Sequence, residues 1–405
     1  MYFVLIHKNQ YGPYTLNELR EMASGGTFTK YSWVWIPREG TWEWVQAGSV
    51  PELNRIFYEM ESGAAKAASE GSPAPSEPAP LRQHRPTMII ALGGGKGGVG
   101  KTTLVAGLGL CLAAMDRSVI LVDCDLGGPN LHTALGLPRP PRSSSDFFNR
   151  QSKSLSELLI PTRLANLRLL GGRGGILGLA NLKYAQKQKF IGELKKLETD
   201  YALLDLGAGT SYDTLDFFLA ADYGVLVSSP DPLSIEKTYG FLKTSIYRSI
   251  ARSFTADQAV HAHLERMAER AFRPTVFQFL TELEAESPES SRLVRQHLNA
   301  RPTGLILNMV MQRQEIENSR QAVADWSHRL GVTVDLLGSV VFDSAMRRSI
   351  YKQIPFVMDR ARSKAARSLL VIASQKLMKA NDAEATPLQR EASRRLRQSK
   401  LVPVT

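Results

Sequence analysis

From residue 86 onward, short apolar runs and longer amphipathic segments alternate along the chain. Runs at 88–92, 119–122, 167–170, 201–205, 224–227, 304–308 and 336–340 are rich in Val, Ile and Leu and are bounded by Gly, Pro, Asn or Asp, which predicts buried strands. Between them, 104–114, 183–197, 234–247 and 365–378 carry the spacing of helices. In 183–197 the apolar stripe is Phe190, Ile191, Leu194 and Leu197, and most of the lysines are assigned to a solvated face. Strand and helix in alternation predict an α/β fold with a mostly parallel sheet flanked by helices. Residues 138–153, rich in Pro, Ser and Arg, read as a loop. Residues 250–301 read as a charged helical insertion broken at Ser287-Pro288.

The first sixty residues follow another pattern. A strand at 2–7 leads through a Gly12-Pro13 turn to a helix at 16–23, with Thr15 as cap and Glu18 completing a capping box. Gly25-Gly26 ends it, and Trp33-Val-Trp35 and Trp42-Glu-Trp44 then put four tryptophans on one side of a hairpin. This predicts a small α+β domain over 1–60. Residues 61–85, built from Ala, Ser, Glu and Pro, form a linker, and 86–380 a second domain. Residues 381–405 form a basic tail.

Composition narrows the class. No apolar run approaches the roughly 18–20 residues that span a bilayer, and the N-terminus lacks the pattern of a secretory signal. The two cysteines, Cys111 and Cys124, fall in a helix and at a strand end, as buried thiols in a reducing, cytoplasmic compartment would. The formal net charge of +11 suggests an acidic partner: nucleic acid, anionic lipid or a nucleotide.

The strand at 88–92 breaks into glycines and then into Lys101, Thr102 and a helix. Residues 95–102 fit Gly-x-x-x-x-Gly-Lys-[Ser/Thr], in which backbone N–H groups cradle phosphates, Lys101 reaches the β- and γ-phosphates and Thr102 holds magnesium. The strand at 119–122 ends in Asp123-Cys-Asp125, and the strand from Tyr201 ends in Asp205. Carboxylates at such ends lie at the carboxyl edge of a parallel sheet, beside the phosphates.

Lys96-Gly-Gly-Val-Gly-Lys-Thr-Thr103 resembles the deviant Walker A motif of the MinD/ParA ATPases. The resemblance implies an ATP-dependent homodimer, with Lys96 reaching across the interface to the other subunit's nucleotide. It implies nucleotide contacts from Gly95, Lys96, Gly97, Gly98, Val99, Gly100, Lys101, Thr102 and Thr103, and adenine recognition by Asn308. It also implies magnesium held by Thr102, Asp123 and Asp205, with Lys96, Lys101 and Asp125 catalytic and Asp125 orienting the water. Asn130-Leu131 matches MinD-type members, and Asp205-Leu-Gly-Ala-Gly209 looks more like the FlhG-type flagellar-number regulators, since MinD has Pro where Gly207 stands. The run 171–175 is placed as a loop near the nucleotide dimer interface.

Residues 1–60 resemble the bacterial GYF-like domains through Gly12-Pro-Tyr14, the helix and the tryptophan strands, although the Gly-Tyr-Phe tripeptide is missing. The resemblance implies an aromatic surface for a protein partner with a Pro-rich segment. A hydrophobic core built from the same tryptophans is the alternative.

Together these readings describe a slow, partner-stimulated ATP hydrolase that switches with ATP and Mg²⁺ and regulates the placement or number of a cellular structure. A ParA-type partition ATPase binding DNA through a basic surface is the alternative. An Mrp-type iron–sulfur carrier is remote, because its C-terminal Cys-x-x-Cys is absent. The tail reads equally as a disordered basic segment or as a helix on anionic lipid, which would place the protein peripherally at the inner membrane or cell pole.

Overall fold

The computed structural model describes residues 2–6, 9–14, 16–24, 28–38, 41–58, 87–172, 182–269 and 274–378. The linker at 61–85, the tail at 381–405, Thr15, Gly25 and Gly26 lie outside them. The chain divides into two units, residues 1–83 and 84–405.

In the first unit, β1 (Tyr2–Ile6), β2 (Asn9–Tyr14), β3 (Trp33–Arg38) and β4 (Thr41–Gln46) form an antiparallel sheet in the order β2-β1-β3-β4. Helices α1 (Leu16–Ser24) and α2 (51–58) supply Leu19, Leu53 and Ile56 to a core with Phe28 and Val34. Trp35 pairs with Trp44 across the hairpin, and Val34 is buried in the core. Trp33 is 45% exposed, and Tyr31 and Tyr58 are exposed as well. Among the described side chains of that strand, Val34 lies in the core and Trp33 does not.

The second unit is an eight-stranded sheet in the order β12-β11-β10-β5-β9-β6-β8-β7. Its strands are β5 (Met88–Gly93), β6 (Val119–Cys124), β7 (Leu159–Pro161), β8 (Leu167–Leu170), β9 (Tyr201–Leu206), β10 (Tyr223–Ser228), β11 (Thr303–Val310) and β12 (Val334–Val341). All neighbours run parallel except β7 against β8 at the edge. Side chains alternate across each strand, so Ile89 and Ala91 enter one core and Ile90 and Leu92 the other. Helix α3 (Lys101–Ala114) is buried along nearly its whole length, which is why its sequence is apolar all round. From β5 the chain crosses to β6 on one side while β10 lies on the other, so a crevice opens at the carboxyl ends of β5, β6 and β9.

Several local expectations need correction. Residues 138–153 are not all loop: α4 (Leu131–Ala134) is followed by α5 (Ser144–Phe148), capped by Ser143. Phe147 and Phe148 are buried against Phe190 of α6 (Tyr184–Lys195), with centroids 5.9 and 5.0 Å away. A helix of five residues shows no periodicity, and its aromatic anchor is a long-range contact.

Lys187 is also misplaced on the solvated face. It is 2% exposed, and its Nζ lies 2.6 Å from both Asp213 and Asp216 of α7 (Tyr212–Ala220). Arg248 of α8 (Pro232–Ser253) completes the cluster, donating to Asp216 through Nε at 2.5 Å and Nη2 at 2.9 Å. Helix α8 runs past residue 250, so the inserted helices are α9 (Gln258–Ala268), α10 (Val276–Glu286) and α11 (Pro288–Asn299), with Ser287 capping α11 at the expected break. Helices α7 and α12 (Arg313–Leu330) lie where the apolar pattern predicts none. Helices α13 (Ala345–Tyr351), α14 (Phe356–Asp359) and α15 (Lys364–Ile372) close the unit. Among the described residues, no helix is long and apolar enough to cross a membrane.

Candidate nucleotide-binding site

The site starts where β5 runs out of side chains. Gly98 and Gly100 have φ of 80° and 87°, a left-handed backbone that L side chains resist. A Cβ on Gly95 would lie 2.0 Å from the Lys237 carbonyl oxygen, so only glycine lets the loop lie flush on α8. Val99 is buried, Gly97 and Gly98 are exposed, and Thr102 and Thr103 are half-buried at the start of α3. Backbone N–H groups of the loop and the positive end of a 14-residue helix thus meet at one point, an environment suited to phosphate.

Lys101 points back over this loop, its Nζ donating to the Lys96 carbonyl at 3.2 Å. Burial lowers its pKa, while Asp205 and Asp125 pull it back up. Lys96 does not reach into the loop. Its Nζ lies 3.2 Å from Asp231 Oδ1 and 3.5 Å from Oδ2.

Asp123 and Asp205 are paired in register on β6 and β9. The Asp123 carboxylate accepts from the N–H groups of Leu131 at 3.0 Å and Asp125 at 3.2 Å, which ties it to the loop that follows. Burial pushes its carboxyl up to about 7 against those bonds. Asp205 is 1% exposed, and neither of its oxygens has a hydrogen bond of normal geometry. Burial, and then repulsion from Asp123, push it up to about 8, while Thr102 and Lys101 oppose the shift. Asp125 is turned by its own loop, with Oδ1 accepting from Gly127 N at 3.2 Å and Gly128 N at 3.0 Å.

Does this site suit a divalent cation? Among the described residues, no three His, Cys, Asp or Glu side chains form a self-sufficient metal cage. A buried carboxylate without a partner, a second one beside it and the Thr102 hydroxyl are hard oxygen donors, too few to dehydrate a small ion fully. That is the donor set of magnesium shared with phosphates, and the residues fit it.

Asn308 lies deep in the fold and reaches the loop backbone: it is 2% exposed and its Nδ2 donates to the Val99 carbonyl at 2.8 Å. Strand β11 is irregular between Leu307 and Val310, with Met309 at φ 61°, and this distortion brings Asn308 against Gly100. Gly172 packs on Pro129 and Asp123, whereas residues 173–175 of the glycine run lie outside the described residues. Asp231 went unread in the sequence, although an Asp directly before a Pro at the first turn of a helix is a cap signature.

Strand, glycine loop, lysine-led helix and paired carboxylates at a sheet crevice define a phosphate-loop nucleotide-binding protein. The chain belongs to the CobQ/CobB/MinD/ParA nucleotide binding domain family, whose model matches residues 90–356. GYF domain 2 matches residues 2–53. The chain is 32% identical over 160 residues to the antiactivator FleN of Pseudomonas aeruginosa, covering 39% of this chain and 56% of FleN. It is 33% identical over 144 residues to the septum site-determining protein MinD of Synechocystis sp., covering 35% of this chain and 53% of that MinD. The chain thus spans about half the length of these curated relatives. Among solved structures it resembles MinD of Pyrococcus horikoshii, complexed with Mg-ADP, with 22% identity, a TM-score of 0.51 and coverage of 73% of this chain and 98% of that one. It also resembles the cell division ATPase MinD of Pyrococcus furiosus, at 20% identity, a TM-score of 0.52 and coverage of 72% and 99%.

Proposed function

We propose that this chain is an ATP-dependent dimerising switch that hydrolyses ATP slowly and regulates where, or how many times, a cellular structure is built. The observation that carries the reading is the partnerless buried carboxylate of Asp205, register partner of Asp123, at the mouth of the glycine loop. Phosphoryl transfer to water needs charge neutralisation and an oriented nucleophile. Lys101 and the loop N–H groups of Gly95 to Thr103 supply the first. Thr102, Asp205 and Asp123 would hold magnesium, which would supply positive charge to neutralise the phosphates. In this reading Asp125 orients the water, Lys96 reaches the nucleotide of a second copy, and Asn308 recognises the adenine. The similarity to FleN and to MinD supports a regulator of flagella or septa. The exposed Tyr31 and Trp33 of the first unit support a protein partner with a Pro-rich segment.

Asp125→Ala tests the catalytic reading: ATP turnover is lost while the ATP-bound dimer persists in light scattering. Unchanged turnover overturns the role of Asp125. The net charge of +11 favours one further reading, a dimer that binds duplex DNA non-specifically. That reading requires ATP-dependent binding that weakens steeply with salt; salt-insensitive or absent binding removes it.

A further inference from the structure

Among the inserted helices, α11 is fastened to α8 through a histidine. Near the end of α11, His297 presents Nε2 to the hydroxyls of Ser249 at 2.8 Å and Ser253 at 3.3 Å. Ser249 and Ser253 lie one turn apart on α8, so a single ring nitrogen spans both. The ring also stands edge-on to Phe254, with centroids 5.5 Å apart and planes at 89°. Val294 and Leu298, on the same side of α11, are buried, as is Ser249. We propose that His297 is an acid-sensitive latch, which holds α11 on α8 while its ring is neutral and loosens that seam when the ring takes a proton. The proposal does not rest on the nucleotide-binding reading.

The surroundings of the ring suit its neutral form. From α8 it meets two hydroxyls and a phenyl ring, none of which carries charge. Arg252, between the two serines in sequence, is turned to Asp216 and to the Tyr184 ring. A small cavity lined by Ser249, Leu298, Arg301 and Asp222 opens beside the seam. Its carboxylate, Asp222, is engaged by Lys195 and by the Ile89 N–H. Its cation, Arg301, donates to the Leu219 carbonyl and is the charge that reaches His297. Burial, and then repulsion from Arg301, hold the ring below its ordinary pKa. The carbonyl end of α11 favours a cation there, but the net shift is downward. A ring with a depressed folded value binds its proton more weakly than the unfolded chain does. The stability it lends is therefore complete above the ordinary histidine value of about 6.5 and is lost as pH falls through the folded value.

The test uses the full chain. Hydrogen exchange of α11, corrected for the intrinsic effect of pH, is read by mass spectrometry at about pH 7.5 and about pH 5.5, on either side of the histidine range. Wild type should lose protection of α11 by up to about ten-fold in acid, the equivalent of one pKa unit, while the strands of the sheet keep theirs. His297→Gln, which can still bond the serine hydroxyls but takes up no proton, should protect α11 equally at both values. Titration of the wild-type His297 ring by nuclear magnetic resonance needs no variant, and its midpoint should lie below that of an unfolded histidine. A midpoint at or above that value overturns the proposal. Equal protection of α11 at the two pH values in wild type overturns it too, as does the same acid loss in His297→Gln.

Discussion

Asp123 and Asp205 stand side by side on neighbouring parallel strands, each 1% exposed, and only Asp123 has its carboxylate bonded by the backbone. Two carboxyls desolvated against each other cannot both carry charge cheaply. In the absence of a cation, Asp205 is a source of strain in the fold.

That strain has a pH signature. Burial chiefly raises Asp205 to about 8 and Asp123 to about 7 from 3.8, so their folded values exceed the unfolded one. The stability they contribute is complete below the unfolded value and is lost as pH rises through about 7 to 8. Metal- and nucleotide-free protein should therefore melt at falling temperature between about pH 5 and pH 8. Asp205→Asn should flatten that slope, raise the melting temperature near pH 8 by on the order of 5 °C, and abolish the extra stabilisation by ATP that depends on magnesium. Calorimetric melts across this range decide; a wild-type slope of the opposite sign would exclude the account.

Asn308 supports the glycine loop from below through its bond to Val99. Asn308→Ala leaves the Val99 carbonyl without its buried donor and should cost about 1–3 kcal/mol of loop order, read as roughly ten-fold weaker nucleotide binding in titration calorimetry. An affinity equal to that of wild type would make the bond incidental.

The Lys187 cluster is a matter of stability. Lys187→Ala removes the ammonium 2.6 Å from both Asp213 and Asp216, leaves Asp213 without its ion pair while Arg248 still holds Asp216, and should cost about 3 kcal/mol in denaturant unfolding. Asp216 sits below its ordinary value, because the bonds from Arg248 and Lys187 outweigh burial. Its stabilisation is present above the unfolded value and lost as acid titrates it, so the variant should lose part of its acid sensitivity. A surface-like effect of under about 0.5 kcal/mol would contradict the burial.

Gly207 reports on Asp125. A Cβ there would sit 3.2 Å from Asp125 Oδ1, so Gly207→Ala should disturb the carboxylate that orients water. Turnover should fall by about ten-fold or more with nucleotide affinity nearly unchanged, the pattern of a group needed only in the transition state. Equal losses in binding and turnover would show that the substitution damages the whole loop.

Much of this site was legible in the chain. The loop from Gly95 to Thr103 is contiguous, so its glycines, lysines and hydroxyls declare themselves by spacing alone. Asp123 and Asp205 were legible because each ends an apolar run, and in parallel sheets such ends point to one edge. The α/β class followed from runs and periods that are local properties of a few residues. The two tryptophan pairs likewise predicted a hairpin, and Trp35 pairs with Trp44 in the antiparallel register of one.

The hidden features depend on pairs far apart in sequence. Lys187 reads as a surface lysine until α7 and α8 bring Asp213, Asp216 and Arg248 to it. The segment 144–148 reads as loop until Phe190 gives its two phenylalanines a place to bury. Most of all, Lys96 is identical in sequence whether it is free, across a dimer or held by Asp231, which lies 135 residues away. The sequence by itself determined a phosphate loop, its carboxylates and an α/β frame, because backbone conformation and apolar period are set by neighbours along the chain. The tertiary structure alone decided which charges are buried, which are paired and where Lys96 rests, because electrostatic and packing partners are set by proximity in space.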